Sequence, residues 1–184
     1  MAKVIDITRW KEFTIGELFD IEKGTRLTKA QMISGDIKFI GASAVNNGWT
    51  ANIGNKEAIH DGNVLTVCYN GSVGETFYQE ERFWASDDVN VLKPKFLLTK
   101  EIALFLCTII RKIGKQYAFI NKWRLEDMKN EKIKLPVKSD GTPDWDSVTV
   151  YMKSIIQKTA NLLSIANTYG QTKLIDIQAN PAVN

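Results

Sequence analysis

The side chains best suited to chemistry in this 184-residue sequence are cations and amides that stand at glycine turns. Arg, Lys, Asn and Gln pair with guanine and adenine edges in the major groove, while Lys, Ser, Tyr and backbone N–H groups near glycine bind phosphates. The pattern favours DNA reading from loops on a rigid scaffold, and the alternative is that these residues only satisfy their own turns. The candidate DNA-binding residues are Lys23, Arg26, Lys29, Gln31, Asn46, Asn47, Tyr69, Asn70, Ser72, Gln79, Lys115, Gln116 and Lys122.

Aromatic residues accompany several of these candidates. Tyr117 is flanked by Lys115, Gln116, Asn121 and Lys122, which would extend the basic surface. Tryptophan is more often a packing residue than a base-stacking one, because its large ring is usually buried. We therefore expect Trp49, Trp84 and Trp123 to pack in the core or in loops.

Signatures of catalysis are sparse. His60 is the only histidine, so a zinc site or a Ser-His-Asp triad would depend on one imidazole. The GxxxxGK[ST] phosphate loop is missing, as are the FxGxG loop and NPPY-type tetrapeptide of an S-adenosylmethionine-dependent amino-methyltransferase. Asp20 with Asp36-Ile37-Lys38, and Asp127-Met128-Lys129, have the form of a metal-dependent nuclease site, but such spacings arise by chance in a chain that is 24% charged. We expect no enzymatic activity and no cofactor, with a nuclease as a less favoured alternative.

Composition limits the class of protein. A net charge of +3 supports binding to a polyanion only if the cations cluster. The longest apolar stretch, residues 102–107, is far too short to span a bilayer, and residues 1–10 lack the build of a secretory signal. Cys68 and Cys107 stand in apolar runs and suggest no disulfide. We expect a cytoplasmic protein of one domain with an appendage.

The order of elements predicts an α+β fold. Apolar runs at residues 13–21, 37–40, 64–69, 76–78 and 89–92, separated by glycine and asparagine turns, predict strands. From Thr99, a plausible N-cap, apolar residues recur at helical spacing until Gly114. A shorter helix at 125–130 and a strand at 132–137 follow, and then a turn.

The C-terminal part carries an amphipathic helix. Val148, Met152, Ile155, Thr159, Leu162, Ala166 and Tyr169 step by four and three residues, as the a and d positions of a coiled coil do. Val148, Met152, Ile155, Leu162 and Tyr169 are the candidates for contact with a second copy or a partner. Packing of this helix on its own core is the alternative. The expected division is a recognition domain at 1–140, a spacer or dimerisation helix at 141–170 and a flexible tail at 171–184.

An ordered series of motifs resembles the target recognition domain of type I restriction-modification specificity subunits, particularly their Bcg-like relatives. The series spans about residues 10–153. It consists of residues 10–24, Phe39-Ile40-Gly41-Ala42-Ser43, Asn46-Asn47-Gly48, Asn70-Gly71-Ser72-Val73-Gly74, Phe77-Tyr78-Gln79, Asp88-Val89, residues 132–137 and Gly141-Thr142-Pro143-Asp144-Trp145. The order of the pieces is far more specific than any one of them.

The resemblance implies a non-catalytic domain that reads one half of a split DNA target and directs partner subunits to it. It implies a β-rich, β-helix-like N-terminal part followed by helices, with S-adenosylmethionine held by the methyltransferase partner. The implied partners are double-stranded DNA, methyltransferase subunits and a restriction subunit. A complete specificity subunit has two recognition domains and two long helices, whereas this chain has one of each. We therefore expect either a half-subunit that pairs with itself or a truncated form, and a decoy that binds methyltransferase subunits without DNA remains an alternative.

Overall fold

A β-rich body precedes the helices. The computed structural model describes residues 7–117 and 122–179, with side chains described as far as Tyr169. The strands are β1 Lys11–Thr14, β2 Phe19–Lys23, β3 Ile37–Ile40, β4 Trp49–Ile53, β5 Ile59–His60, β6 Val64–Cys68, β7 Thr76–Gln79, β8 Phe83–Ala85, β9 Val89–Pro94 and β10 Lys132–Leu135. The α-helices are α1 Ile15–Leu18, α2 Lys100–Gly114, α3 Leu125–Asn130 and α4 Trp145–Ala179, and short 3-10 helices cover Ile7–Arg9, Lys29–Gln31 and Asn46–Gly48.

The described strands form two four-stranded sheets and one two-stranded ribbon. Their orders are β2-β9-β6-β7, β4-β3-β8-β5 and β1-β10. The pairing of β3 with β8 is parallel, and the other pairings are antiparallel. The mixed α+β class, β-rich first and helical afterwards, is confirmed, and the β3–β8 pair is the feature of these sheets that resembles the parallel stacking of a β-helix.

One helical turn interrupts the long apolar run predicted as a strand at 13–21. Thr14 begins α1 through a capping box, because its hydroxyl accepts from the Glu17 N–H at 3.1 Å while the Glu17 carboxylate accepts from the Thr14 N–H. Ile15 is fully buried inside this turn. The prediction of one continuous strand was therefore wrong, and the Thr-x-x-Glu spacing was the signal for the interruption.

Helices α2 and α3 confirm their predictions closely. The Thr99 hydroxyl accepts from the Ile102 N–H at 3.4 Å and caps α2, whose last residue is Gly114. Its buried face packs on the main core, which includes Ile102, Leu106 and Ile110. Helix α3 occupies 125–130, and its Met128 is fully buried in the same core.

Helix α4 begins on the body and then leaves it. Trp145 stacks on Phe96 with ring centroids 4.4 Å apart, and Val148 is fully buried. Val148 therefore belongs to the core of the domain, which corrects its assignment to a dimer seam. The helix continues through Ala179, so residues 171–179, expected in a flexible tail, are helical instead. None of the helices in 7–117 and 122–179 is long and apolar enough to cross a membrane.

Candidate nucleic-acid interface

Two of the predicted DNA-contacting loops meet at one turn, residues 86–88, which links β8 to β9. The turn is fixed from behind, because the Ser86 N–H donates to the Ile40 carbonyl at 2.8 Å and the Val89 N–H donates to the Ser86 carbonyl at 3.0 Å. We call it the Ser86–Asp88 turn. Sequence reasoning from loop composition missed its two aspartates as site residues, although Asp88-Val89 was among the motifs of the resemblance.

The first loop, which follows β2, runs over this turn. The Gly24 N–H donates to the Val89 carbonyl at 2.8 Å and the Thr25 N–H donates to the Ala85 carbonyl at 2.8 Å. A Cβ at Gly24 would lie 2.0 Å from the Ser86 carbonyl oxygen, so only glycine allows the approach. Arg26, which the loop leaves exposed, contacts Asp87 of the turn with 3.1 Å between Nη1 and Oδ2.

The second loop, which follows β6, meets the same turn from the other side. The Asn70 Nδ2 donates to the Asp88 carboxylate at 2.7 Å, and the Tyr69 N–H donates to the Asp88 carbonyl at 3.1 Å. Burial and the nearby Asp88 and Asp87 carboxylates raise the pKa of the Tyr69 phenol, which stays a neutral donor. Asn70 and Ser72 are both half-buried. Asn70 thus anchors its loop.

A cleft beside the second loop collects further cations. It has a volume of about 530 Å³, and its lining includes Tyr69, the cations Lys23, Lys122 and Arg124 and the acids Glu126 and Asp127. The Trp123 N–H donates to the Tyr69 carbonyl at 3.3 Å, which ties this segment to the loop. Three cations from distant parts of the chain therefore share one concave surface. Arg124 is an addition, since sequence reasoning passed over it.

Lys115 and Gln116 lie exposed just beyond α2, next to the second loop. A Cβ at Gly74 would lie 2.5 Å from the Gly114 carbonyl carbon, so this loop and the end of α2 are in direct backbone contact. Tyr117 stacks on Trp123 at 5.0 Å, and its hydroxyl donates to Glu131 at 2.5 Å. This hydrogen bond raises the pKa of Tyr117 to about 12. Asn121 lies outside the described residues.

The Asn46–Gly48 turn borders the same surface. Asn46, Asn47 and Gly48 all have positive φ, which asparagine and glycine tolerate best. The turn is tied to Gly41 by the Gly41 N–H, which donates to the Gly48 carbonyl at 2.9 Å. The neighbouring Ala42 approaches Gly71 of the second loop, where an added Cβ would lie 3.2 Å from the Ala42 Cβ.

Several residues that were predicted to contact DNA instead make hydrogen bonds to other groups of the protein. Gln79 is buried, and its Nε2 donates to the Asn47 carbonyl at 3.1 Å and to Thr66 Oγ1 at 3.0 Å. Its assignment as a DNA-contacting residue is therefore corrected, because its amide has no access to a base. Asn47 Nδ2 donates to the Tyr78 carbonyl and to Gln79 Oε1. Gln31 accepts from the Thr28 N–H at 3.1 Å and closes its own turn.

The remaining candidates divide by exposure. Lys23, Arg26, Lys29, Asn46, Lys115, Gln116 and Lys122 are exposed. Trp84 and Trp123 are buried in packing positions, as predicted from their size, whereas Trp49 is 38% exposed and donates through Nε1 to the Ala51 carbonyl at 2.9 Å. Lys23, Arg26 and Lys122 are thus exposed around the Ser86–Asp88 turn, where a ligand can reach them.

Groups suited to catalysis are not assembled in the described residues. Asp20 lies on β2 and contacts Lys95 at 3.2 Å. Asp36 directly precedes β3, which belongs to a different sheet from β2, so the two aspartates are not brought together by one sheet. Burial raises the pKa of the Cys68 and Cys107 thiols to about 12, which leaves them protonated and unreactive. Burial also lowers the pKa of His60, with the Glu22 carboxylate opposing this effect. Among residues 7–117 and 122–179, no group of three His, Cys, Asp or Glu side chains could hold a metal ion.

The loops that follow β2 and β6 meet at the Ser86–Asp88 turn and expose cations there, an arrangement suited to recognition rather than to catalysis. The family model described as "Type I restriction modification DNA specificity domain" matches residues 8–164, and the chain belongs to this family. Its matched relatives are specificity subunits, which confirms the resemblance.

Individual relatives agree with this family. The specificity subunit S.BcgI of a type II restriction enzyme from Heyndrickxia coagulans is 43% identical over 150 residues, which are 81% of this chain and 44% of that protein. Among solved structures, one from a study of complex assembly and conformational transition of the type I R-M system has a TM-score of 0.64 at 17% identity, covering 91% of this chain and 44% of that chain. The HsdS subunit from Thermoanaerobacter tengcongensis has a TM-score of 0.61 at 16% identity, covering 86% and 40%. The chain therefore spans less than half the length of these relatives, and the structural likeness supports the fold.

Proposed function

We propose that this chain is a sequence-specific DNA-recognition module that reads one half of a split target for a restriction-modification system. The observation that carries the proposal is the convergence of two loops on the Ser86–Asp88 turn. It gathers the exposed cations Lys23, Arg26 and Lys122 although nearly a hundred residues separate the first from the last along the chain. DNA binding requires such clustering, because a net charge of only +3 supplies little attraction when spread evenly.

Two roles divide the proposed surface. Lys23, Lys122 and Arg124 line one cleft and are placed to hold phosphates, which position a protein on the duplex without reading sequence. The exposed Asn46 and the Ser86–Asp88 turn present amide and carboxylate groups that are suited to base edges. Lys115 and Gln116 extend the cationic side of the same surface. Base reading is thus assigned to the turns and attraction to the cleft.

The partners we propose are double-stranded DNA and a DNA methyltransferase subunit, with a restriction subunit in the complete assembly. The methyltransferase would supply S-adenosylmethionine and the chemistry, while this chain supplies the target. A protein with this role works where the bacterial chromosome is, so we place it in the cytoplasm.

The exposed part of α4 is our proposed contact between two copies of the chain. Beyond Ile155, the apolar residues Leu162 and Tyr169 are 67% and 70% exposed. A second copy would supply a second recognition domain beside the one in this chain, which covers 44% of the S.BcgI relative. Two-fold pairing through the same helix face would give two readers related by symmetry, and a palindromic split target.

Selection from a library of random duplexes, with and without the methyltransferase subunit, tests the proposed function. We expect enrichment of one short sequence, and an affinity that falls steeply with salt because phosphate contacts release counterions. Lys23→Ala and Lys122→Ala should each weaken binding to all sequences alike and lower the salt slope by about one. Lys153→Ala, on the exposed surface of α4, is the matched control and should leave the slope unchanged.

A protein-only docking module is the second candidate, and the exposed apolar residues of α4 are the observation that favours it. Such a module would bind the methyltransferase subunit with little salt dependence and would enrich no sequence. Enrichment of no sequence under either condition would overturn DNA recognition and leave this candidate.

A further inference from the structure

An acidic side chain stands where a purely phosphate-binding surface would have none. Asp87 lies at the centre of the Ser86–Asp88 turn, its side chain is 40% exposed, and it opposes phosphate binding by charge repulsion. Asp88, beside it, is used inside the protein as the anchor of Asn70. The Asp87 carboxylate contacts only Arg26 among the described residues, through Oδ2. The carboxylate can therefore accept a further hydrogen bond from a donor on a ligand, at Oδ2 as well as at Oδ1.

The partner of Asp87 is equally available. The Arg26 side chain is 76% exposed, and one of its five N–H donors is used for Asp87. Both residues line the mouth of a cleft of about 490 Å³, to which Thr28, Lys29 and Gly41 also contribute. A base edge that approaches this cleft can thus meet a cationic donor and an anionic acceptor side by side.

The spacing of the pair matches one base pair. In the major groove, guanine presents O6 and N7 as acceptors and cytosine presents the N4 amino group as a donor. Guanine O6 and cytosine N4 are hydrogen-bonded to each other, so they lie about 2.9 Å apart. The Arg26 Nη1 and Asp87 Oδ2 atoms are 3.1 Å apart with the opposite polarity. Donor therefore faces acceptor, and acceptor faces donor, when the two pairs meet edge to edge.

We propose that Arg26 and Asp87 act together as a specificity-determining pair that reads one G·C base pair, with Arg26 on guanine and Asp87 on the cytosine amino group. The proposal rests on DNA recognition by this chain and adds the residues and the base pair. An A·T or C·G pair would place an amino donor opposite Arg26 and an acceptor opposite the Asp87 carboxylate, which leaves the two acceptors without a proton. A T·A pair keeps an acceptor and a donor in the same places, but it puts the thymine methyl group where guanine has N7, so a further Arg26 N–H would lose its acceptor. The Asp87 carboxylate thus weakens the attraction to DNA but makes binding selective for one base pair.

The test is selection from random duplexes by the full chain with its methyltransferase subunit, repeated for Asp87→Ala and Arg26→Ala. We expect the wild-type chain to require G·C at one position, and both variants to lose about tenfold or more of the discrimination at that same position. Glu81→Ala is the control, because it removes another exposed acid, which is paired with Lys38 at the far end of β3 from the turn. It should leave the selected sequence unchanged.

Four outcomes would overturn the pair. Asp87→Ala could raise the affinity for every sequence alike, which would make Asp87 only a repulsive charge. Arg26→Ala could weaken binding to every sequence alike with a lower salt slope, which would make Arg26 a phosphate contact. A wild-type chain that enriches no sequence would overturn both the pair and the proposed function, whereas an enriched sequence that both variants retain would overturn the pair alone. Thermal unfolding of each variant verifies folding, and exposed ion pairs of this kind add little to stability.

Discussion

Polar side chains at glycine turns serve two purposes in this domain, and burial separates them. Gln79 is 3% exposed and supports the Asn46–Gly48 turn, whereas Asn46 is exposed and its Nδ2 donates to the Trp49 carbonyl at 3.2 Å. Both are amides next to a turn in the sequence, so residue type alone could not tell the buried support from the exposed candidate for DNA contact. The distinguishing fact is that the Gln79 side chain points from β7 to Asn47 and Thr66 on the buried side.

Replacement of Gln79 by Leu tests this supporting role. The change keeps the volume but removes the hydrogen bonds that the buried Gln79 amide makes with the Asn47 carbonyl, Asn47 Nδ2 and the Thr66 hydroxyl. We expect the free energy of unfolding to fall by about 1 to 3 kcal/mol, which is the cost of unsatisfied buried polar groups. Urea unfolding followed by circular dichroism gives the value.

Gln116→Leu is the control for Gln79→Leu, since the Gln116 side chain is exposed. Its effect should stay within about 0.5 kcal/mol. Equal stabilities for the two variants would show that the Gln79 hydrogen bonds do not fix the turn.

At the scale of elements, apolar runs predicted what is buried and missed what is short or exposed. Strands β3, β6, β7 and β9 lie where the runs placed them. Strand β4 was missed because its residues are mostly exposed, and β5 and β8 because two or three residues carry no measurable alternation. The meeting of two loops at the Ser86–Asp88 turn could not be predicted either, since it depends on how β2, β6 and β9 pair.

Direct backbone packing between the second loop and α2 explains one of the glycines of that loop. Gly74 has a φ of +84°, and a Cβ there would lie 2.5 Å from the Gly114 carbonyl carbon. Gly71, three residues earlier, has a φ of +70°, but a Cβ there meets only the Ala42 Cβ at 3.2 Å. Both positions have a positive φ that disfavours residues other than glycine. They differ in the room for a side chain, because only Gly74 lies directly against the backbone of α2.

Replacing each of these two glycines by alanine separates the cost of a positive φ from the cost of a steric clash with α2. Gly71→Ala should cost about 1 to 2 kcal/mol of unfolding free energy, because a non-glycine residue is disfavoured at positive φ. Gly74→Ala should cost clearly more, because α2 must also move away from the loop. Thermal or urea unfolding of both variants measures the difference, and equal losses would contradict a close contact between the loop and α2.

At the scale of the whole molecule, the described residues form a packed domain and a helix that extends beyond it. Helix α4 has 35 residues, so it is about 52 Å long, and only its beginning contacts the core through Trp145, Val148 and Met152. The sequence pattern predicted one continuous seam from Val148 to Tyr169. The pattern could not show at which residue the apolar face stops packing on the core and becomes exposed. Apolar residues have the same helical spacing whether they pack on their own domain or on a partner.

The pairing of two chains that we propose through the exposed part of α4 would therefore depend on Leu162 and Tyr169 rather than on Val148. Leu162→Asp should convert a dimer to a monomer in light scattering at high concentration, because it would bury two charges against an apolar face. Ala160→Asp adds the same charge on the opposite side of the helix and should leave the dimer intact. Ala160→Asp should retain the wild-type unfolding midpoint, and Leu162→Asp should have the midpoint of the wild-type chain diluted to a monomer, since neither side chain touches the core and loss of the dimer itself lowers the midpoint. A wild-type chain that stays monomeric at high concentration, or two variants that behave alike, would contradict pairing through this face. In that case the exposed stripe would be left to the methyltransferase subunit.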